Sequence, residues 1–202
     1  MNEKEFIKIV RKTCKDNNIA VVIKKKVKYA DGTFVNGYFC DTDRVLAVST
    51  YNDNWFPILV HEYGHLLQFL EDYKPFIQYN SVSGDFWCAL EGKKVKKRAK
   101  DICQLVEFDC ERRVLEMIKE YDLPIEPKHY AKRANAYVYF YEVVARTGNW
   151  YDMGNEPYNN KAILKRMPSK LDYEYKNVSE YILNLMEKNL FSDKLCSTKS
   201  RK

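Results

Sequence analysis

The sequence has no apolar run near the roughly 20 residues that cross a bilayer as a helix. Its longest candidate, "AYVYFYEVVA", is short and interrupted by Glu142. The opening "MNEKEFIKIVRK" is charged throughout and lacks the apolar centre and small-residue cleavage site of a signal peptide, so a cytoplasmic protein without membrane contact is expected. The cysteines (Cys14, Cys40, Cys88, Cys103, Cys110 and Cys196) include no C-x-x-C pair, which removes zinc knuckles and thioredoxin motifs. In a reducing compartment they are expected to be free thiols. There is no internal repeat and no low-complexity linker. A single domain over residues 1–191 with a basic, flexible tail at 192–202 is therefore expected. The excess of one charge over the other is also small. The net +6 comes from "KKKVK" (24–28), "KKVKKRAK" (93–100) and the tail, too mild a bias for a dedicated nucleic-acid binder. The composition, 46% apolar over 202 residues, is enough to bury a core.

Phe6, Ile7, Val10 and Cys14 fall at helical spacing, and "KDNN" ends that first helix with a turn. "IAVVIKKKVKYA" and "FVNGYFC" flank Asp31-Gly32 and read as a hairpin, and "RVLAVSTY" reads as a third strand. From Pro57 the apolar positions are helical, with Asn52, Asp53 or Asn54 available as the cap. Residues 74–92, aromatic and containing Gly and Ser, read as an irregular loop beside that helix. Further helices are expected over about 95–121, in "HYAKRANAYVYFYEVVARTG" up to Gly148, and in "VSEYILNLMEKNL".

Two of only three histidines lie in "ILVHEYGHLLQF", four residues apart on an apolar helix. His61 and His65 then project from one face and can hold one zinc ion through nitrogen. Glu62, turned about 100° around the helix, is near enough to take a proton from water at the metal. Two imidazoles on one apolar face need partners, which a metal satisfies together. The other possibility is a pair of core histidines hydrogen-bonded to neighbours. Gly64 weakens the helix by ~1 kcal/mol, so close approach of the sheet or of a second helix is expected there.

A catalytic zinc takes a third protein ligand. In "DICQLVEFDCERRVLEMIKEY" a helical projection from Ile102 places Glu107 at about 140°, inside the apolar stripe, Glu111 at about 180°, on its margin, and Asp109 at about 340°, outside it. A carboxylate on a core face is costly unless paired or bound to a cation. Glu107 is accordingly the expected third ligand, with Glu111 placed to hydrogen-bond a ligand histidine. His129 is another candidate to close the site, and Glu107 and Glu111 could instead pair with lysines or arginines across a helix interface.

"HEYGH" matches the H-E-x-x-H helix of the zincin metallopeptidases, and "EFDCE" resembles the E-x-x-A-D type motif of their gluzincin branch, with Cys110 for alanine and Glu111 for aspartate. The element order is similar to the small cytoplasmic ImmA/IrrE-like peptidases of phage and bacteria. The resemblance covers roughly residues 19–121 and departs from the family in a long insertion at 66–106. It implies an α+β, zincin-like fold: an N-terminal helix and a small, mostly antiparallel twisted sheet, then an active-site helix, a glutamate helix and further C-terminal helices. It also implies one catalytic Zn2+ and hydrolysis of a protein or peptide substrate by zinc-bound water, with Glu62 as general base. His129, Tyr130, Tyr63 and Tyr137 are side chains able to face the oxyanion. His129 is preferred because "PIEPKHY" follows the glutamate helix directly. "RVLAVST" would be the sheet edge on which the substrate backbone lies as an added strand. Two other functions fit the same residues: a nucleic-acid-associated, SprT-like protease using "KKVKKRAK", and a zincin-fold binding protein that has lost catalysis.

Overall fold

Asn2 caps the first helix in a computed structural model that describes residues 1–29, 32–152 and 154–191. Its side chain accepts from the Glu5 N–H at 3.1 Å, and Glu5 Oε2 accepts from the Asn2 N–H at 2.9 Å. The described chain is α+β and forms two compact units, Met1–Phe76 with Asp109–Pro127, and Ile77–Phe108 with the described residues from Lys128 on. No helix among the described residues is long and apolar enough to cross a membrane.

In the first unit, helix α1 (Glu3–Asp16) buries Phe6, Val10 and Cys14, then strands β1 (Ala20–Lys24), β2 (Val27–Lys28), β3 (Phe34–Val35), β4 (Gly37–Cys40) and β5 (Val45–Ser49) follow. β5 lies between β1, its parallel neighbour, and β4, its antiparallel neighbour, while β2 and β3 form a separate antiparallel pair. Two of the three pairings are thus antiparallel. The expected hairpin shrinks to Val27↔Val35 and Lys28↔Phe34; Ala30 and Asp31 of its tip lie outside the described residues. The expected edge role of "RVLAVST" is also corrected, because β5 is central and β4 is at the edge. Leu46, Ala47, Val48 and Ser49 are all buried, and a strand covered on both faces takes the middle of a sheet.

Helix α2 (Trp55–Leu70) carries the histidines and packs across β4 and β5. Asn54 stands at its N-cap and Pro57 lies in its first turn. Residues 74–92 are corrected from loop to helix α3 (Lys74–Trp87) and a 3-10 turn (Cys88–Glu91). Tyr79, Val82 and Phe86 recur at helical spacing into an apolar cluster, and that packing outweighs the poor propensity of Ser81, Ser83 and Gly84.

Helices α4 (Lys97–Glu120), α5 (Pro127–Thr147), α6 (Lys161–Leu164) and α7 (Glu180–Leu190) complete the chain. The core of the second unit gathers Phe86, Phe140, Tyr141, Val144, Ile163 and Met186, with Phe86 stacked on Tyr141 at 5.1 Å. Buried Asn135 holds the segment before α7. Its amide donates to the carbonyls of Pro168 at 3.0 Å and Lys170 at 2.8 Å, and its oxygen accepts from the Asp172 N–H at 2.9 Å. Asn135→Ala is expected to cost about 2–4 kcal/mol in urea denaturation, since a buried amide that makes three hydrogen bonds of ~1 kcal/mol each is lost.

The five described cysteines, Cys14, Cys40, Cys88, Cys103 and Cys110, are free thiols. Burial pushes the Cys14 thiol up to about 11 and, with the Glu107 carboxylate adding to it, Cys103 up to about 12. These two are packing residues at neutral pH. The tail at 192–202, with Cys196, lies outside the described residues.

Candidate metal centre

The i, i+4 spacing on α2 brings the His61 and His65 rings together edge to face, with centroids 4.7 Å apart and planes at 89°. Gly64, between them, lets α4 come close. A Cβ on Gly64 would stand 2.8 Å from Cys110 Sγ and 3.4 Å from the Cys110 carbonyl oxygen. The close approach expected from the sequence is therefore made by α4.

That approach puts two groups of α4 on the Nδ1 side of His61. Glu111 Oε1 lies 3.3 Å from Nδ1, and Cys110 Sγ lies 3.6 Å from it while donating to the His61 carbonyl at 3.1 Å. Burial alone would lower the His61 pKa, but the Cys110 sulfur and the Glu111 carboxylate outweigh it and hold the ring well above the usual imidazole range. The electrostatics of the site thus favour positive charge at this imidazole, whether a proton or a metal supplies it.

His65 has a different partner. Its Nδ1 is 2.9 Å from Gln68 Oε1, and Gln68 Nε2 donates to Asp109 Oδ2 at 2.9 Å. Asp109 is in turn held by Arg112, at 2.7 Å to Oδ1, and by Arg113, at 2.7 Å to Oδ2. Burial would raise the Asp109 pKa, yet the bonds from Arg113, Gln68 and Arg112 keep it below the usual carboxylate range. Arg113 reaches on to Glu71 at 2.7 Å. The Phe76 ring packs near this imidazole, with the two centroids 6.3 Å apart.

Glu62 is buried, at 8% exposure. It lies against the first residue of β4, where a Cβ on Gly37 would meet Glu62 Cγ at 3.1 Å, Glu62 Oε1 at 3.2 Å and Ile58 Cγ2 at 2.7 Å. Any larger residue at 37 would press on the carboxylate. Tyr63 is tied elsewhere, with its hydroxyl 3.0 Å from Thr13 Oγ1.

Within the first unit, then, His61, Glu62, His65 and Glu111 come together. Glu107 and His129 belong to the second unit. Glu107 is buried on α4 and accepts from the Tyr141 hydroxyl at 3.1 Å, and His129 is exposed in the first turn of α5. Burial, with Glu107 adding to it, pushes the Tyr137 and Tyr141 phenols well above their usual range. Among the described residues, His61, His65 and Cys110 offer ligand atoms that all lie within 4.8 Å of one another. Imidazole nitrogen and thiolate are both zinc donors, so the residues present fit that ion.

The sequence does not single out Gln68, and it offers Cys110 only as the counterpart of an alanine. The projection put Asp109 outside the apolar stripe, but its carboxylate is buried among polar partners. The pattern Asp109, Arg112, Arg113, at i+3 and i+4, is the signal that marks it as an ion-pair centre.

Comparison with protein-family models, with curated proteins and with solved structures finds no match.

Proposed function

We propose that the protein is a zinc metallopeptidase that hydrolyses peptide bonds of a protein substrate. One observation carries the reading: on the helix bearing "HEYGH", each histidine has an acceptor at Nδ1, Glu111 for His61 and Gln68 for His65. An acceptor at one ring nitrogen orients the other toward a metal. His61 and His65 would therefore ligate through Nε2. We assign Glu107 as the third ligand from the helical phase of α4, where it stands one turn ahead of Glu111. Zinc held by these residues would supply Lewis-acid polarisation of a peptide carbonyl and acidify water.

The remaining chemistry belongs to the chain. Glu62 takes the proton of the attacking water on its carboxylate and returns it to the leaving amine. Gly37 leaves room for that carboxylate, and β4 walls it from one side. Glu111 keeps the His61 ring electron-rich. His129 is assigned the oxyanion-facing role on sequence grounds alone.

A second reading follows from Cys110. A His61, His65, Cys110 donor set would make a closed, structural zinc site in a binding protein. Against it, the sulfur lies on the Nδ1 side of His61, already shared with Glu111.

Metal analysis separates the two. The purified protein is expected to carry one equivalent of zinc. Glu107→Ala is expected to weaken binding by more than the ~10–100-fold typical of outer-sphere changes, while Cys110→Ser retains the ion. Wild-type protein without stoichiometric zinc would sink both readings. Zinc lost from Cys110→Ser and kept by Glu107→Ala would establish the second.

A further inference from the structure

Gln68 is a fully buried amide between two polar partners on α2 and α4, and nothing in the H-E-x-x-H pattern requires it. Its orientation follows from donor and acceptor chemistry. Asp109 receives hydrogen bonds on both carboxylate oxygens from Arg112 and Arg113, so it is ionised and can only accept. The Gln68 group facing it at 2.9 Å must be the NH2 end, because the reverse amide would set two oxygens against each other. The carbonyl end then faces His65 Nδ1 at 2.9 Å. A carbonyl oxygen can only accept, so that nitrogen must carry the proton.

We propose that Gln68 is a positioning residue whose carbonyl oxygen, aimed by Asp109, fixes His65 in the tautomer that carries its proton on Nδ1 and presents the Nε2 lone pair. The proposal rests on the reading in which His65 ligates a metal. It extends that reading by naming what prepares the nitrogen before any ion arrives. The arrangement also makes the two histidines unequal. His61 meets a carboxylate and His65 a neutral amide, so the pair gains one anionic acceptor rather than two. The ion pairs of Arg112 with Glu116 at 2.6 Å and of Arg113 with Glu71 at 2.7 Å hold the far end of the chain of bonds. An isolated glutamine could flip; this one is locked by a carboxylate that is itself gripped by two guanidinium groups.

The test uses the full chain, metal-free and with Zn2+ as the only added ligand. In nitrogen-15 histidine spectra at mildly alkaline pH, wild-type His65 is expected to be neutral with its proton on Nδ1. Gln68→Met, similar in size and without an acceptor, should lose that preference and bind zinc about 10–100-fold more weakly in a chelator competition. The swap Gln68→Glu with Asp109→Asn keeps an acceptor toward His65 and the same net charge but gives up the Arg113 bond to Oδ2, and it should recover the Nδ1 proton. A wild-type proton on Nε2 would overturn the proposal, as would a Gln68→Met protein with unchanged tautomer and unchanged affinity. If Gln68→Met does not fold, the wild-type spectrum decides, and a His65 without the Nδ1 proton rejects the role. Failure of the wild type to take up zinc would refute the peptidase reading, while the tautomer spectrum would still decide the role of Gln68.

Discussion

Replacing Glu62 with glutamine is expected to leave a folded, zinc-loaded protein whose peptide hydrolysis is slower by about 10²–10⁴, the usual contribution of a positioned general base. The substitution keeps the size of the side chain, which the contact with Gly37 demands, and removes only the ability to take a proton. Glu62 is buried at 8% exposure, and an amide of the same size fits the same space, so stability should change little. The measurement is turnover of a fluorogenic peptide library alongside zinc content and thermal unfolding. Unaltered turnover in a zinc-loaded Glu62→Gln protein would exclude Glu62 as the base. Loss of zinc together with activity would instead place Glu62 in the metal-holding set.

The second large effect is expected at Gly64. A leucine there adds a branched side chain where even a Cβ comes 2.8 Å from Cys110 Sγ and 3.4 Å from the Cys110 carbonyl. Overpacking of this kind costs about 3 kcal/mol or more, against ~1 kcal/mol returned by better helix propensity. For a chain of this size that lowers Tm by roughly 4–8 °C or more, and zinc should be lost as α4 is pushed from the histidines. Alanine is the informative control. Its Cβ meets mainly the sulfur, so Gly64→Ala with Cys110→Ala should be more stable than Gly64→Ala alone in thermal unfolding. If Gly64→Leu keeps wild-type Tm and zinc content, the close packing of α2 on α4 is not what the glycine is for.

Much of this centre is legible in the sequence because helical periodicity is local. His61, Glu62 and His65 are related by four residues of one helix, and Glu111 falls on a face of α4 that a projection can find. What is not legible depends on partners distant in the chain. Asp109 projects away from the apolar stripe, and only its arginines and Gln68 explain why a carboxylate is buried there. Gln68 reads as an ordinary polar position on α2 until Asp109 is set opposite it. The sheet is not legible for a related reason. β-Branched runs announce strands but not neighbours, and "RVLAVST" reads as an edge although the burial of Leu46 to Ser49 gives it the centre. Residues 74–92 read as loop because Ser and Gly weigh against helix locally, whereas Phe86 and its neighbours are held by an apolar cluster assembled from the rest of their unit.

The pairing of β4 with β5 carries one more consequence. The two strands are joined by four residues, 41–44, with Arg44 at φ 54° and its guanidinium anchored on the Asn17 carbonyl at 2.6 Å. That connection fixes Gly37 opposite Val48, and strand faces alternate with every residue. One residue inserted into or deleted from the turn would bring Asn36 or Tyr38 to the place where only a glycine fits beside Glu62. The motif helix would be untouched, yet its carboxylate would be crowded from across the sheet. The length of a surface turn, far from "HEYGH" in character, is thus part of what defines the chamber around the base.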